Sequence, residues 1–367
     1  MMHRKILALM LPALLGVSSV HATEIYKKDG NQLNVYGKLD LNHQISKKTS
    51  NDNDKSRIHV GLKGETKITN LLTGYGQLEY SIHDKMSEKE NNSSTQPSIG
   101  SIGLKFSNYG TFDYGKNYGV GYDPLSWTNT IPESGFHSTR PGNGMIGRSR
   151  DLVTYRNSNL FGLIDGLDFA LQYQGKNKEN SEKKDITTEN GNGVGTSVTY
   201  TTKTGLALSA AYTRTDRTEN QKKAYFGKDN NTAETWSTAI KYNANNIYLA
   251  TMYGETRNNT YIKNITDALL KEGMVDREKK FEAVAQYQFD FGLRPSLAYI
   301  QSIGKKITEF NNQDLYKYID LATYYNFNPS LVTYVDYKIN LVKQNFFTTK
   351  TGLSTDNTVA LGLIYKF

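Results

Sequence analysis

The chain contains no cysteine, so disulfides contribute nothing to its stability. Tryptophan occurs only twice and proline only seven times in 367 residues. Hydrophobic residues make up just 37% of the chain, and the mean hydropathy is −0.60. Beyond Val20 no apolar run approaches the roughly 20 residues that a membrane-crossing helix needs. These absences exclude a disulfide-stapled secreted domain and a bundle of transmembrane helices. They leave open a membrane β-barrel, in which only alternate residues face lipid and the other half is polar.

What is present begins with an export signal. His3, Arg4 and Lys5 precede an apolar run from Ile6 to about Val20, interrupted by Pro12, and small-residue spacing at Val20 and Ala22 precedes Thr23. Residues 1–22 therefore read as a cleaved signal peptide, and 23–367 as the mature chain. The full chain has 44 Lys and Arg against 36 Asp and Glu; losing Arg4 and Lys5 leaves 42 against 36, a formal net charge of +6. A basic surplus suggests nucleic acid in a cytoplasmic protein, but export argues against that partner here.

At the other end Val359, Leu361, Leu363, Tyr365 and Phe367 fall on one face of an extended segment, opposite Thr358, Ala360, Gly362, Ile364 and Lys366. A terminal strand would be an exposed edge unless a partner covers its open side, as in a closed barrel. The same period of two recurs elsewhere. Val35, Gly37, Leu39, Leu41 and Ile45 alternate with Tyr36, Lys38, Asp40, Asn42 and Gln44, and Ile58, Val60 and Leu62 alternate with Arg57, His59, Lys63 and Glu65. Continued along the chain, the pattern predicts about sixteen strands, the first near 33–46 and the last near 356–367.

The connections alternate in kind. Short turns such as Ser107–Gly110, Thr202–Thr204, Asn243–Asn246, Asp290–Gly292 and Asn328–Ser330 are rich in turn formers. Long charged ones such as Lys47–Lys55, Asp84–Gln96, Gly175–Asn192, Thr215–Thr232 and Arg257–Lys280 lie between them. Short turns at one end and long loops at the other fit a single membrane barrel, and 26 Tyr with 14 Phe fit its interfacial girdles. Gly119–Gly147 stands apart: it is long, lacks alternation, and carries Tyr122, Trp127, Asn129, Ile131 and Glu133. It reads either as a surface loop or as a segment folded into the lumen, where a barrel of this size needs something to narrow it.

Glu24–Lys38, Gly61–Thr66, Phe112–Gly119, Thr154–Leu167, Tyr253–Asn258 and Ala285–Ser296 closely resemble the general diffusion porins of the Gram-negative outer membrane, the OmpF/OmpC type. The resemblance implies a sixteen-stranded antiparallel transmembrane β-barrel with its third external loop (119–147) folded inward, assembled as a homotrimer. It places the barrel in outer-membrane lipid and lipopolysaccharide. It also makes Phe367 part of the signal read by the outer-membrane assembly machinery. The implied activity is passive diffusion of small hydrophilic solutes and ions, with no cofactor, no metal and no catalysis.

The resemblance also implies a constriction, with loop acids facing wall bases. Lys38 and Arg148 fall on wall positions that are basic in the family, and Pro132-Glu133 matches the loop. His59 and Ser98 stand where bases are expected, Asn129 where an acid is expected, and other loop acids fall at His137, Gly142 and Asn143. Tyr118 and Tyr122 complete the expected lining. Arg57 and Arg150 lie two residues from His59 and Arg148, so they either share the lumenal face or are solvated charges near loops.

Fewer acids and bases at these positions predict a weaker transverse field, with preference shifted toward anions. His59 brings a group that titrates between pH 5 and 8, unless it serves only as a hydrogen-bond partner on the wall. The alternative function is a substrate-specific anion or phosphate channel using Lys38, Arg57, Arg148 and Arg150. A hydrolase finds little support: the mature chain has four histidines, His43, His59, His83 and His137, and no recognisable serine partner. Gly191–Gly195 resembles a phosphate loop only weakly and reads better as a turn.

Overall fold

The computed structural model describes residues 22–47, 54–83, 94–131, 144–177, 186–223, 231–262, 273–307 and 310–367. The expected signal peptide, apart from Ala22, lies outside this set, as do Glu133, His137, Gly142 and Asn143.

Alternating side chains along each segment produce one closed antiparallel wall. Its first strands are β1 (Asn31–Ser46), β2 (Arg57–Lys67), β3 (Leu72–His83), β4 (Ser94–Phe106), β5 (Thr111–Tyr118) and β6 (Arg148–Asn157). Then come β7 (Leu167–Gln174), β8 (Gly193–Thr201), β9 (Leu206–Asp216), β10 (Thr232–Ala244) and β11 (Ile247–Arg257). The wall ends with β12 (Arg277–Tyr287), β13 (Leu293–Ile307), β14 (Asn311–Asn326), β15 (Leu331–Asn340) and β16 (Thr358–Lys366).

Each strand pairs with its sequence neighbour, and β16 returns to β1 with Thr358 opposite Ser46 and Lys366 opposite Lys38. The expected sixteen-stranded closure is therefore what the chain forms. Turn chemistry sets the register locally. Between β10 and β11, Ala244 pairs with Ile247 and the two-residue loop is Asn245-Asn246, both at positive φ (55° and 62°), the geometry of a tight hairpin.

The two faces of the wall differ as the alternation predicts. Leu41, Val60, Leu62, Leu78, Leu361 and Leu363 are exposed on the outside, where a bilayer covers them. Asp40, Asn42, Glu79, Ser81, Asp113 and Thr154 are buried on the inside. Tyr36 lies across the lumenal face of Gly61, where an added Cβ would sit 2.1 Å from its ring.

One strand escaped the sequence pattern. Thr23–Lys28 pairs with β1, Thr23 opposite Val35, on the same side of β1 as β16. The N- and C-terminal segments thus share one stave of the wall. All six residues of this strand are exposed, so no apolar alternation marks it. Gly37 closes the seam: its N–H donates to the main-chain oxygen of Phe367 at 2.8 Å, and the Phe367 N–H donates back to the Gly37 carbonyl at 3.1 Å. The Phe367 ring covers Gly37, where a Cβ would fall 2.2 Å from the ring carbon Cζ.

Gly37→Val is therefore expected to displace the terminal ring and destabilise the folded barrel by about 1–3 kcal/mol, the usual cost of overpacking. Urea unfolding in detergent, followed by the gel-shift difference between heated and unheated protein, measures it; an unchanged midpoint would show that the ring is not seated there.

Candidate functional site

The lumen is lined by the polar phase of the strands, and its charges collect where β1 to β6 meet the segment after β5. Register places them together: Lys38 pairs with His59, Asp40 with Arg57, and Gly61 with Glu79. Two wall acids organise this region. Asp40, almost wholly buried, holds the Lys38 ammonium at 2.7 Å, lies 3.9 Å from the Arg57 guanidinium, and accepts from the Tyr334 hydroxyl at 3.2 Å.

Glu79 is the second centre. It accepts from the hydroxyls of Ser98 at 2.7 Å and Tyr36 at 3.1 Å and from Arg148 at 3.3 Å, and it lies 3.8 Å from Nδ1 of His59. That ring nitrogen also meets the Ser81 hydroxyl at 2.8 Å. Ser98, which stands in place of an expected base, thus spends its hydroxyl on a carboxylate. The Arg148 guanidinium lies 5.1 Å from the centre of the Tyr118 ring, a cation–π contact, and Tyr118 stacks on Tyr122 with centroids 4.7 Å apart.

After β5 the chain turns inward. Tyr122–Leu125 forms a short helix, α1, and Val120, Tyr122, Leu125, Trp127 and Ile131 are buried with Met145 and Ile146. At the near wall, Arg156 grips Asp123 with two hydrogen bonds of 2.8 and 3.1 Å, and the Ser197 hydroxyl donates to the same carboxylate. At the far wall the Tyr248 hydroxyl donates to the Trp127 carbonyl at 2.6 Å, and the Tyr324 hydroxyl to that of Thr130 at 3.2 Å. The Thr128 hydroxyl reaches Glu282, and the Lys241 ammonium sits 4.4 Å from the centre of the Trp127 ring. The segment is therefore folded into the lumen and fastened on both sides.

Within it the Asn129 amide donates to the Tyr122 hydroxyl at 2.8 Å. Burial pushes the Tyr122 phenol up, so it stays neutral. The position where a loop acid was expected thus carries an uncharged amide bound to an uncharged phenol. Arg57 and His59 lie on the lumenal face beside Lys38. Arg150, by contrast, is exposed.

Glu79, Asp123 and Arg156 were not singled out from sequence. The signal for Glu79 was present, since Gln77, Glu79 and Ser81 alternate with Leu78, Tyr80 and Ile82. Asp123 and Arg156 come together only through the inward fold. Among the described residues no group of three or more His, Asp or Glu has metal-binding geometry.

A family model described as Gram-negative porin matches residues 28–367. The chain is 47% identical to outer membrane protein F of Serratia marcescens over 377 aligned positions covering all of both chains. It is also 47% identical to outer membrane porin C of Enterobacter cloacae, over 371 positions and 99% of each chain. Among solved structures, OmpF of Salmonella typhi in complex with daunomycin matches with a TM-score of 0.86 and 39% identity, covering 94% of this chain and 100% of that one.

The Asp123–Arg156 pair is expected to anchor the inward segment. Asp123→Ala leaves the guanidinium without its acid and should cost about 3 kcal/mol, as when one partner of a buried pair is removed. Single-channel records should then show frequent spontaneous closures. Quiet, wild-type traces together with an unchanged unfolding midpoint would refute the anchoring role.

Proposed function

Because the chain belongs to the Gram-negative porin family, an outer-membrane family of passive channels, we propose that it is a general diffusion pore whose weakened constriction favours anions. The observation that carries this reading is the segment 119–131, fastened across the lumen beside a wall cluster of Lys38, Arg57, His59 and Arg148. Small hydrophilic solutes pass the remaining aqueous gap by diffusion. Fixed charges on its walls set which ions concentrate there, and apolar solutes are penalised because they disrupt oriented water.

Two features support a weak, anion-shifted field. Each basic group of this cluster, Lys38, Arg57, His59 and Arg148, lies beside a shared carboxylate, Asp40 or Glu79, which reduces the field it projects. Across from them Asn129 brings no charge. The mature chain's surplus of six positive charges acts in the same sense. The resemblance to the family further supports a homotrimer in outer-membrane lipid and lipopolysaccharide, inserted by the assembly machinery that reads Phe367.

Reversal potentials of the reconstituted channel across a potassium chloride gradient test the selectivity. Chloride preference is expected, and clear potassium preference would sink the proposal. A saturable current blocked by phosphate would instead assign a substrate-specific anion channel.

A further inference from the structure

On the far wall a lumenal cation is held in a different way from those of the wall cluster. Lys241 lies on the inward phase of β10, half-buried, while its neighbour Ile240 is exposed outside. It stands close to the short turn at Asn245-Asn246. Ala207 of β9 and Ala250 of β11 pair with it across the sheet, and Ala239 and Asn243 flank it on the same phase of β10. All four are uncharged.

Over the ammonium lies the Trp127 ring, its centre 4.4 Å away, and Trp127 belongs to one buried cluster with Ala207, Ala239, Tyr248 and Ala250. Among the described residues Lys241 makes no ion pair. The lumenal acids are placed elsewhere. Glu282 lies two strands away and one rung farther from the short turn, opposite Met252, and takes the Thr128 hydroxyl. Glu278 faces Lys280 at 3.6 Å, and Asp123 is gripped by Arg156. Asp320 and Asp336 stand on β14 and β15, opposite Ala298 and Ala322, and the chain terminus lies at the seam with β1. Between them and Lys241, Arg294 donates to the Gln286 side-chain oxygen, again a neutral partner.

The partner decides what a cation does at a distance. A carboxylate beside Lys38 or Arg148 cancels most of its charge as the solute meets it. An aromatic ring holds an ammonium through its quadrupole, carries no net charge, and leaves the positive charge whole. Lys241 is therefore fixed in place without being neutralised, and the low-dielectric walls around it focus its field into the aqueous space.

We propose that Lys241 is a specificity-determining residue of the channel: held against Trp127 at the foot of the inward segment, it supplies a positive charge that draws anions through the short-turn half of the lumen. This role rests on the reading of the chain as a diffusion pore, and it is separate from the question of which ion the constriction prefers.

Reversal potentials of the reconstituted channel across potassium chloride gradients, taken with single-channel records, test it. Lys241→Gln should lower the chloride-to-potassium permeability ratio about twofold near 0.1 M salt, the effect of one unit charge about 10 Å from the ion path at aqueous dielectric, partly screened. The loss should fade toward 1 M, where the Debye length is only about 3 Å. Lys241→Arg, which keeps both the charge and a cation over the ring, should retain the wild-type ratio. Lys241→Met keeps an apolar side chain against Trp127 without the charge; it should match Lys241→Gln, and it decides the matter alone if the glutamine variant fails to assemble. A lysine that only fastens Trp127 would give spontaneous closures and an unchanged ratio at every salt concentration, and that result overturns the proposal. A potassium-preferring wild type whose preference strengthens about twofold in Lys241→Gln or Lys241→Met would uphold the role of Lys241 while refuting the anion-selective constriction.

Discussion

Inside a bilayer, water is not available to the peptide group, so every N–H and C=O must find its partner within the protein. This requirement governs the molecule. Sixteen strands satisfy it only as a closed ring, and the ring closes only when β16 meets β1. Once closed, each strand is forced to show one face to hydrocarbon and the other to water. The polar phase then becomes a lumen wall, and every charged side chain on it becomes a fixed charge along the solute path.

That wall is built less from opposed single charges than from shared carboxylates. Asp40 and Glu79 each gather bases and hydroxyls from several strands. Such sharing fixes the orientation of long side chains that would otherwise sweep the aqueous space, while it reduces the field they project. The inward segment is held by a different chemistry. An ion pair secures it near its origin, and hydrogen bonds to backbone carbonyls together with a cation over an indole secure it at the far wall. Because the two attachments lie on opposite sides, the segment behaves as a strut rather than a flap.

The wall was legible in the sequence because a strand's side-chain period is short and local: Val35–Ile45 declares its two faces within a few residues. The terminal strand was legible for the same reason, and with it the closure. Thr23–Lys28 was not, since a fully exposed strand has no face to alternate. The partners of the lumenal charges were hidden for another reason. Tyr334 reaches Asp40 and Arg148 reaches Glu79 only after the ring has closed and the intervening strands have set the register. Arg150 shares the parity of Arg148 yet is exposed, while the Arg148 guanidinium reaches Glu79; parity names a face of a strand and not how far a long side chain reaches from it.

The seam between Gly37 and Phe367 joins residues 330 positions apart and uses the final peptide group of the chain. A chain that stops even one residue early lacks this pair and presents an incomplete edge. Bringing such distant ends together costs about 5 kcal/mol of loop entropy, recovered only when the whole last strand zips. Closure is thus the most non-local event in the fold, sealed only where the backbone of Phe367 meets that of Gly37.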